Sequence, residues 1–154
     1  LGCEARADVK VGEPFPPFAP AAVVNLAGGD LPATAGQVVL VDFWASWCAP
    51  CKASFPAMAK LFSDYAARGF LIAAVSIDEK PAAALAFWKK QSPPFATLHD
   101  REQKLVKQVV VPTMPTSYLL DRTGKVRFVH EGFHGDATDK QVRQEIETLL
   151  AEKT

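Results

Sequence analysis

The stretch Gln37-Val38-Val39-Leu40-Val41-Asp42-Phe43-Trp44-Ala45-Ser46-Trp47-Cys48-Ala49-Pro50-Cys51-Lys52 decides the fold. Residues 37–44 are apolar or β-branched nearly throughout, which fits a central strand buried on both faces. Behind the cysteines, Phe55, Met58, Leu61, Phe62 and Tyr65 recur at three- and four-residue spacing, ending before Gly69. This predicts an amphipathic helix over 49–68, kinked at Pro56. The strand therefore delivers Cys48 to a helix N-terminus, where unpaired N–H groups and the positive end of the dipole favour thiolate over thiol. The thiolate is the form that attacks a disulfide. Pro50 sits in the first turn, where a missing N–H is harmless. Cys48 is thus expected to attack and Cys51, one turn deeper, to resolve.

Upstream, Pro14, Pro16, Pro17 and Pro20 predict an extended lead-in, and Val23, Val24 and Leu26 before Gly28-Gly29-Asp30 predict a short strand and turn. Downstream, residues 70–77 read as a second apolar strand. Residues 81–91 read as a helix opened by Pro81, with Leu85 and Trp88 on one face. Residues 103–109 suggest another short helix. Thr116–Leu120 and Lys125–His130 flank Asp121-Arg122-Thr123-Gly124 as a hairpin. A last helix is expected from Thr138, with Thr138 and Gln141 as a capping box and Val142, Ile146, Leu149 and Leu150 buried. Alternating strands and helices ending in a hairpin and helix predict an α/β domain with a mixed sheet.

The chain has 154 residues, room for one domain. It is 49% hydrophobic and 22% charged, which excludes a disordered chain. Seventeen Lys and Arg balance seventeen Asp and Glu, so no basic face is expected for nucleic acid or an acidic membrane surface. No apolar stretch reaches the ~18 residues of a membrane span. Residues 1–10 read as an N-terminal tether and 11–154 as the folded domain. Leu1-Gly2-Cys3 matches the end of a bacterial lipoprotein signal, making Cys3 a lipidation candidate, against the plainer reading of a leftover thiol near a terminus.

Three cysteines do not make a disulfide scaffold, and a zinc ribbon needs a second Cys-x-x-Cys or a His pair. One Cys-x-x-Cys pair points to redox chemistry.

Phe43-Trp44-Ala45-Ser46-Trp47-Cys48-Ala49-Pro50-Cys51-Lys52 resembles the active-site run of the thioredoxin superfamily. The proline-rich start, the Val-Asp-Phe-Trp strand and Pro115-Thr116-Ser117-Tyr118-Leu119-Leu120-Asp121 resemble its extracytoplasmic TlpA/ResA-like branch of membrane-tethered thiol reductases. The resemblance implies a thioredoxin-like fold, a central mixed β-sheet flanked by helices with an N-terminal β extension. It also implies a cis bond between Met114 and Pro115 beside the cysteines, with Trp47, Ala49, Pro50 and Met114 facing the substrate. The plain alternative for Pro115 is loop punctuation. Asp42, six residues before Cys48, matches the buried acid that relays a proton to the resolving cysteine in thioredoxins. The alternative is a hydrogen-bonded structural Asp. Two departures are visible: Ser54 stands where many TlpA/ResA-like proteins carry Glu, and Asp42 where they often carry Asn. The lysine accompanying the acid in thioredoxins is replaced by Ala73 or Ala74.

The expected function is a monomeric thiol-disulfide oxidoreductase of the bacterial periplasm or cell envelope. It would reduce client disulfides through Cys48 and Cys51, be recharged by a membrane thiol donor, and need no cofactor beyond its own redox-active disulfide. A disulfide oxidase or isomerase, and a metal-binding or chaperone module using the same cysteines, are the competing readings. A peroxiredoxin is excluded, since neither cysteine follows Pro-x-x-x-Thr/Ser-x-x. His130-Glu131-Gly132-Phe133-His134 spells the zinc-protease motif, but it follows a strand and contains glycine, where the motif needs a helix. No metal site is expected from it. His99, beside Asp100, reads as a loop histidine. Trp44 and Trp88 read as packing residues and Lys52 as a helix charge near Cys48.

Overall fold

Strand β2, Val38–Trp44, runs through the middle of the sheet in the computed structural model, which describes residues 9–153. Every residue of β2 is buried. It pairs in parallel with β3 (Phe70–Ser76) and antiparallel with β5 (Thr116–Leu120). Outside these lie β4 (Ala96–Asp100), parallel to β3, and β6 (Val126–Glu131), antiparallel to β5. The short β1 (Val23–Asn25) caps the β4 edge, giving the order β1-β4-β3-β2-β5-β6. Cys3 and most of the expected tether lie outside the described residues.

Alternation along β2 divides the core. Val38, Leu40 and Trp44 pack with Phe55, Met58 and Leu61 of α1 (Ala49–Tyr65) and with Val142, Ile146 and Leu149 of α4 (Asp136–Ala151). Val39, Val41 and Phe43 pack on the other face with Phe15 of the proline-rich lead-in, Tyr118, and Leu105 and Val109 of α3 (Lys104–Val109). The lead-in joins the sheet: Pro14 bridges to Lys125, and the Gly12 N–H donates to the Val126 carbonyl at 2.7 Å. α1 continues through Pro56 and tightens into a 3₁₀ turn at Ala66–Arg68 before Gly69, whose φ of 95° turns the chain into β3. That φ favours glycine, and an added Cβ would also lie 2.8 Å from Arg122 Nη1, so the guanidinium would have to shift.

Three expectations are corrected, and the expected strand and loop are found at residues 130–134. Helix α2 (Pro81–Gln91) buries Ala84 and Phe87, whereas Leu85 and Trp88 are only partly buried. Phe87 stacks 4.6 Å from Trp44 and 5.0 Å from Phe55, and that aromatic contact sets the helix's rotation. β4 was not expected at all, and it makes His99 a buried strand residue. α4 begins at Asp136 after Gly135, two residues before the expected capping box. Thr138 Oγ1 instead accepts the His134 N–H at 2.9 Å. Finally, β6 carries His130 and Glu131, so the zinc-protease spelling lies on a strand and its following loop. There His130 pairs with Glu145 of α4 at 2.6 Å.

Candidate active site

Cys48 is the N-cap of α1, with extended backbone, and its Sγ accepts the Cys51 N–H at 3.3 Å. The two residues are disulfide-bonded, with Cα atoms 5.3 Å apart. Cys51 is fully buried, while Cys48 keeps 5% exposure. Ala49, Pro50 and Lys52 are exposed around them, and Trp47 stands out from the surface at 67% exposure.

Pro115 directly precedes β5, the antiparallel neighbour of β2. The Met114–Pro115 bond is cis. Hydrogen bonds fix both flanks: Thr116 Oγ1 donates to the Thr113 carbonyl at 2.7 Å, and the Gly132 N–H donates to the Pro115 carbonyl at 2.7 Å. Met114 is partly buried, against both core clusters.

Asp42 is 2% exposed and lies between Ala74 of β3 and Ser117 of β5. Ala74, not Ala73, therefore occupies the place opposite the acid. The Ser117 hydroxyl donates to Asp42 Oδ1 at 2.8 Å, while Oδ2 has no partner among the described residues. Burial pushes the Asp42 carboxyl up to about 7, with the Ser117 hydrogen bond pulling the other way. A small pocket of about 30 Å³ has Asp42, Ser54, Pro115 and Ser117 in its otherwise mainly apolar lining. Ser54 is buried, and its hydroxyl donates to the Cys51 carbonyl at 2.8 Å. The acid, the cis proline and Ser54, whose hydroxyl holds the Cys51 carbonyl, thus line one small space.

Sequence reasoning missed a neighbouring cluster. Asp78, just past β3, is 2% exposed and accepts hydrogen bonds from the Ser46 N–H, the Ser46 hydroxyl and the Ser76 hydroxyl. Its sequence signal was the two polar residues Ser76 and Asp78, either side of Ile77, closing an apolar strand, which read by themselves as a loop. Among the described residues no group of three or more His, Cys, Asp or Glu gathers as a metal site.

A mixed sheet that presents a Cys-x-x-Cys pair at a helix N-terminus, with a cis proline leading into the strand beside the one that carries the pair, defines the thioredoxin-like class of thiol proteins. The Redoxin family model matches residues 10–146, and the chain belongs to that family. It is 30% identical over 143 residues to thiol-disulfide oxidoreductase ResA of Bacillus thuringiensis subsp. konkukian, covering 92% of this chain and 79% of that protein. The ResA protein of Bacillus anthracis is 32% identical over 136 residues, covering 87% of this chain and 75% of its own length. Among solved structures, a Chlorobium tepidum protein provisionally assigned as thiol:disulfide interchange protein DsbE superposes with a TM-score of 0.85. It is 36% identical, with 93% of this chain and 99% of that one covered.

Proposed function

We propose that the protein is a thiol-disulfide oxidoreductase that reduces disulfides of client proteins outside the cytoplasm. The observation that carries the reading is the unequal pair at the head of α1, a slightly exposed Cys48 over an enclosed Cys51. The ResA and DsbE relatives support it. In the reduced protein, the Cys48 thiolate attacks one sulfur of a client disulfide. The client S–S bond breaks, a mixed disulfide forms, and the departing client thiolate takes a proton from solvent. Cys51 then gives its proton to the Asp42 carboxylate and attacks Cys48 Sγ, and the second client thiolate leaves and is protonated. Two electrons have passed to the client, which takes two protons from solvent; the Cys51 proton rests on Asp42, and the protein holds the Cys48–Cys51 disulfide. A dithiol donor restores it by the reverse exchange.

Trp47, Ala49 and Pro50 form the exposed rim on which a client chain rests, and Met114 flanks it beside the cis proline. The resemblance to membrane-tethered thiol reductases supports a site of action in the bacterial envelope, a membrane electron donor and an anchor through Cys3. Among the described residues no helix is long and apolar enough to cross a membrane. Mass spectrometry of Cys3 from the native host tests the anchor, and diacylglycerol on its sulfur is the expected result.

The function is tested by equilibrating the Cys48–Cys51 couple in dithiothreitol and glutathione buffers while following insulin reduction. A potential near thioredoxin's, about −270 mV, with turnover of insulin is expected. A potential near about −120 mV makes the protein an oxidant and overturns the direction.

A further inference from the structure

The approach to Cys48 is held from outside its own element. Ser46 and Trp47 link the end of β2 to the N-cap of α1, and the Ser46 N–H reaches both oxygens of Asp78, at 3.2 and 3.1 Å. The Ser46 hydroxyl donates to Asp78 Oδ1 at 2.6 Å, and the Ser76 hydroxyl to Oδ2 at 2.6 Å. Both carboxylate oxygens are therefore engaged as acceptors by donors of fixed direction. The main chain of Asp78 is held as well. Its N–H donates to Ser76 Oγ at 3.1 Å, and its carbonyl meets His99 Nε2 at 2.8 Å. Because that carbonyl only accepts, the hydrogen lies on Nε2 of His99. The buried β4 histidine thus completes a clamp whose outer jaw grips the residue before Trp47.

Trp47, the residue before Cys48, forms one wall of a groove of about 280 Å³, with Ile77, Glu79, Lys80 and Gln103 on the other sides. The indole is 67% exposed, so core packing does not hold it in place. Its orientation depends on the backbone at Ser46. We propose that Asp78 is a positioning residue for disulfide exchange with protein clients: through Ser46 it fixes the Trp47–Cys48 turn, and so the wall against which a client's chain lies as its disulfide reaches Cys48.

This inference rests on the reductase reading, and the test separates the two. Rates are compared for insulin, whose chain must lie in the groove, and for a small aromatic disulfide that needs only Cys48. Asp78→Ala is expected to lower kcat/KM for insulin about tenfold, the order of a lost hydrogen bond to a charged group, mainly through KM. The small disulfide is expected to lose less than about twofold. Asp78→Asn keeps a carbonyl acceptor for Ser46 and should recover most of the loss. Ser46→Ala keeps the Ser46 N–H contact, and should show a smaller change of the same sign even if Asp78→Ala folds poorly. Fluorine NMR of 5-fluorotryptophan-labelled protein, with the Trp47 signal assigned by Trp47→Phe, should show that signal narrowing in Asp78→Ala. Equal losses for both substrates across the variants, or an unchanged insulin KM with an unchanged Trp47 signal, overturn the proposal. A wild type that turns over neither substrate overturns the reductase reading instead.

Discussion

Ser117 donates to Asp42 Oδ1 at 2.8 Å across the β2–β5 pairing and leaves Oδ2 without a partner among the described residues. One hydrogen bond to a carboxylate buried against alanine does not replace the water it has lost, so the protonated form is favoured to about pH 7.

That imbalance fixes the sign of a stability effect. The folded state binds the Asp42 proton more tightly than the unfolded chain, so stability is fully present below about pH 4 and falls as pH rises toward 7. A shift from the ordinary 3.8 to about 7 corresponds to about 4 kcal/mol as an order of magnitude. Asp42→Asn should therefore be more stable than the wild type at pH 8, by up to a few kcal/mol, and nearly equal at pH 4. Urea titrations of the oxidised protein across that range check this.

The same substitution separates chemistry from stability. If Asp42 takes the Cys51 proton, the rate of client reduction should rise with pH around a midpoint near 7. Asp42→Asn should flatten that profile and slow resolution by roughly 10²-fold, the scale of lost general-base help. Stopped-flow decay of a preformed mixed disulfide between pH 5 and 9 reads this step directly. An unchanged profile removes Asp42 from the mechanism.

Because Cys51 is enclosed and Cys48 reaches the surface, the two cysteine variants should fail differently. Cys51→Ser should accumulate a mixed disulfide between Cys48 and a client peptide. Cys48→Ser should form none. Non-reducing mass spectrometry after incubation with an oxidised peptide distinguishes them.

Phe55 lies 5.3 Å from Trp44, 5.0 Å from Phe87 and 5.6 Å from Phe95, tying α1 to β2, α2 and the lead into β4. Phe55→Ala should cost about 3–5 kcal/mol, transfer and cavity terms together. A shifted urea midpoint with an unchanged slope checks it.

Gly69 combines a left-handed φ with a guanidinium in the space a Cβ would take. Gly69→Ala should cost about 1–2 kcal/mol for the backbone alone, with a further loss for displacing Arg122. In an Arg122→Ala background only the backbone part should remain. A double-mutant cycle by urea denaturation measures the difference.

The stretch from Gln37 to Lys52 was legible because three signals agreed in it: an apolar β-branched run, a helical period, and thiols at their junction. The cis bond at Pro115 was legible only through family resemblance, since spacing alone reads it as punctuation. β4 was hidden by its own composition. His99 and Asp100 look like loop residues until their partners are seen: His99 meets Asp78, and Asp100 takes the N–H groups of Leu105 and Val106 at 3.3 and 2.9 Å. Those pairings make polar side chains tolerable at full burial. The α2 face was misjudged because 82–88 is apolar nearly all round, so period alone cannot choose a direction. Asp78 escaped notice because its partner Ser46 lies 32 positions away, a distance only the folded sheet closes.

Arg122 occupies the end of the sheet opposite the cysteines. Its guanidinium donates to the carbonyls of Gly36, Arg68 and Leu150, gathering the entries to β2 and β3 and the tail of α4 onto one side chain. The domain is thereby built like a hinge-less book, bound along one spine. Opening at the bound edge must release three chain segments at once, and at the cysteine edge Asp78 plays the matching part by joining Ser46, Ser76 and His99. The starts of β2 and β3 thus share one fastening with the last helix, so a shift of any one of the three is felt by the other two.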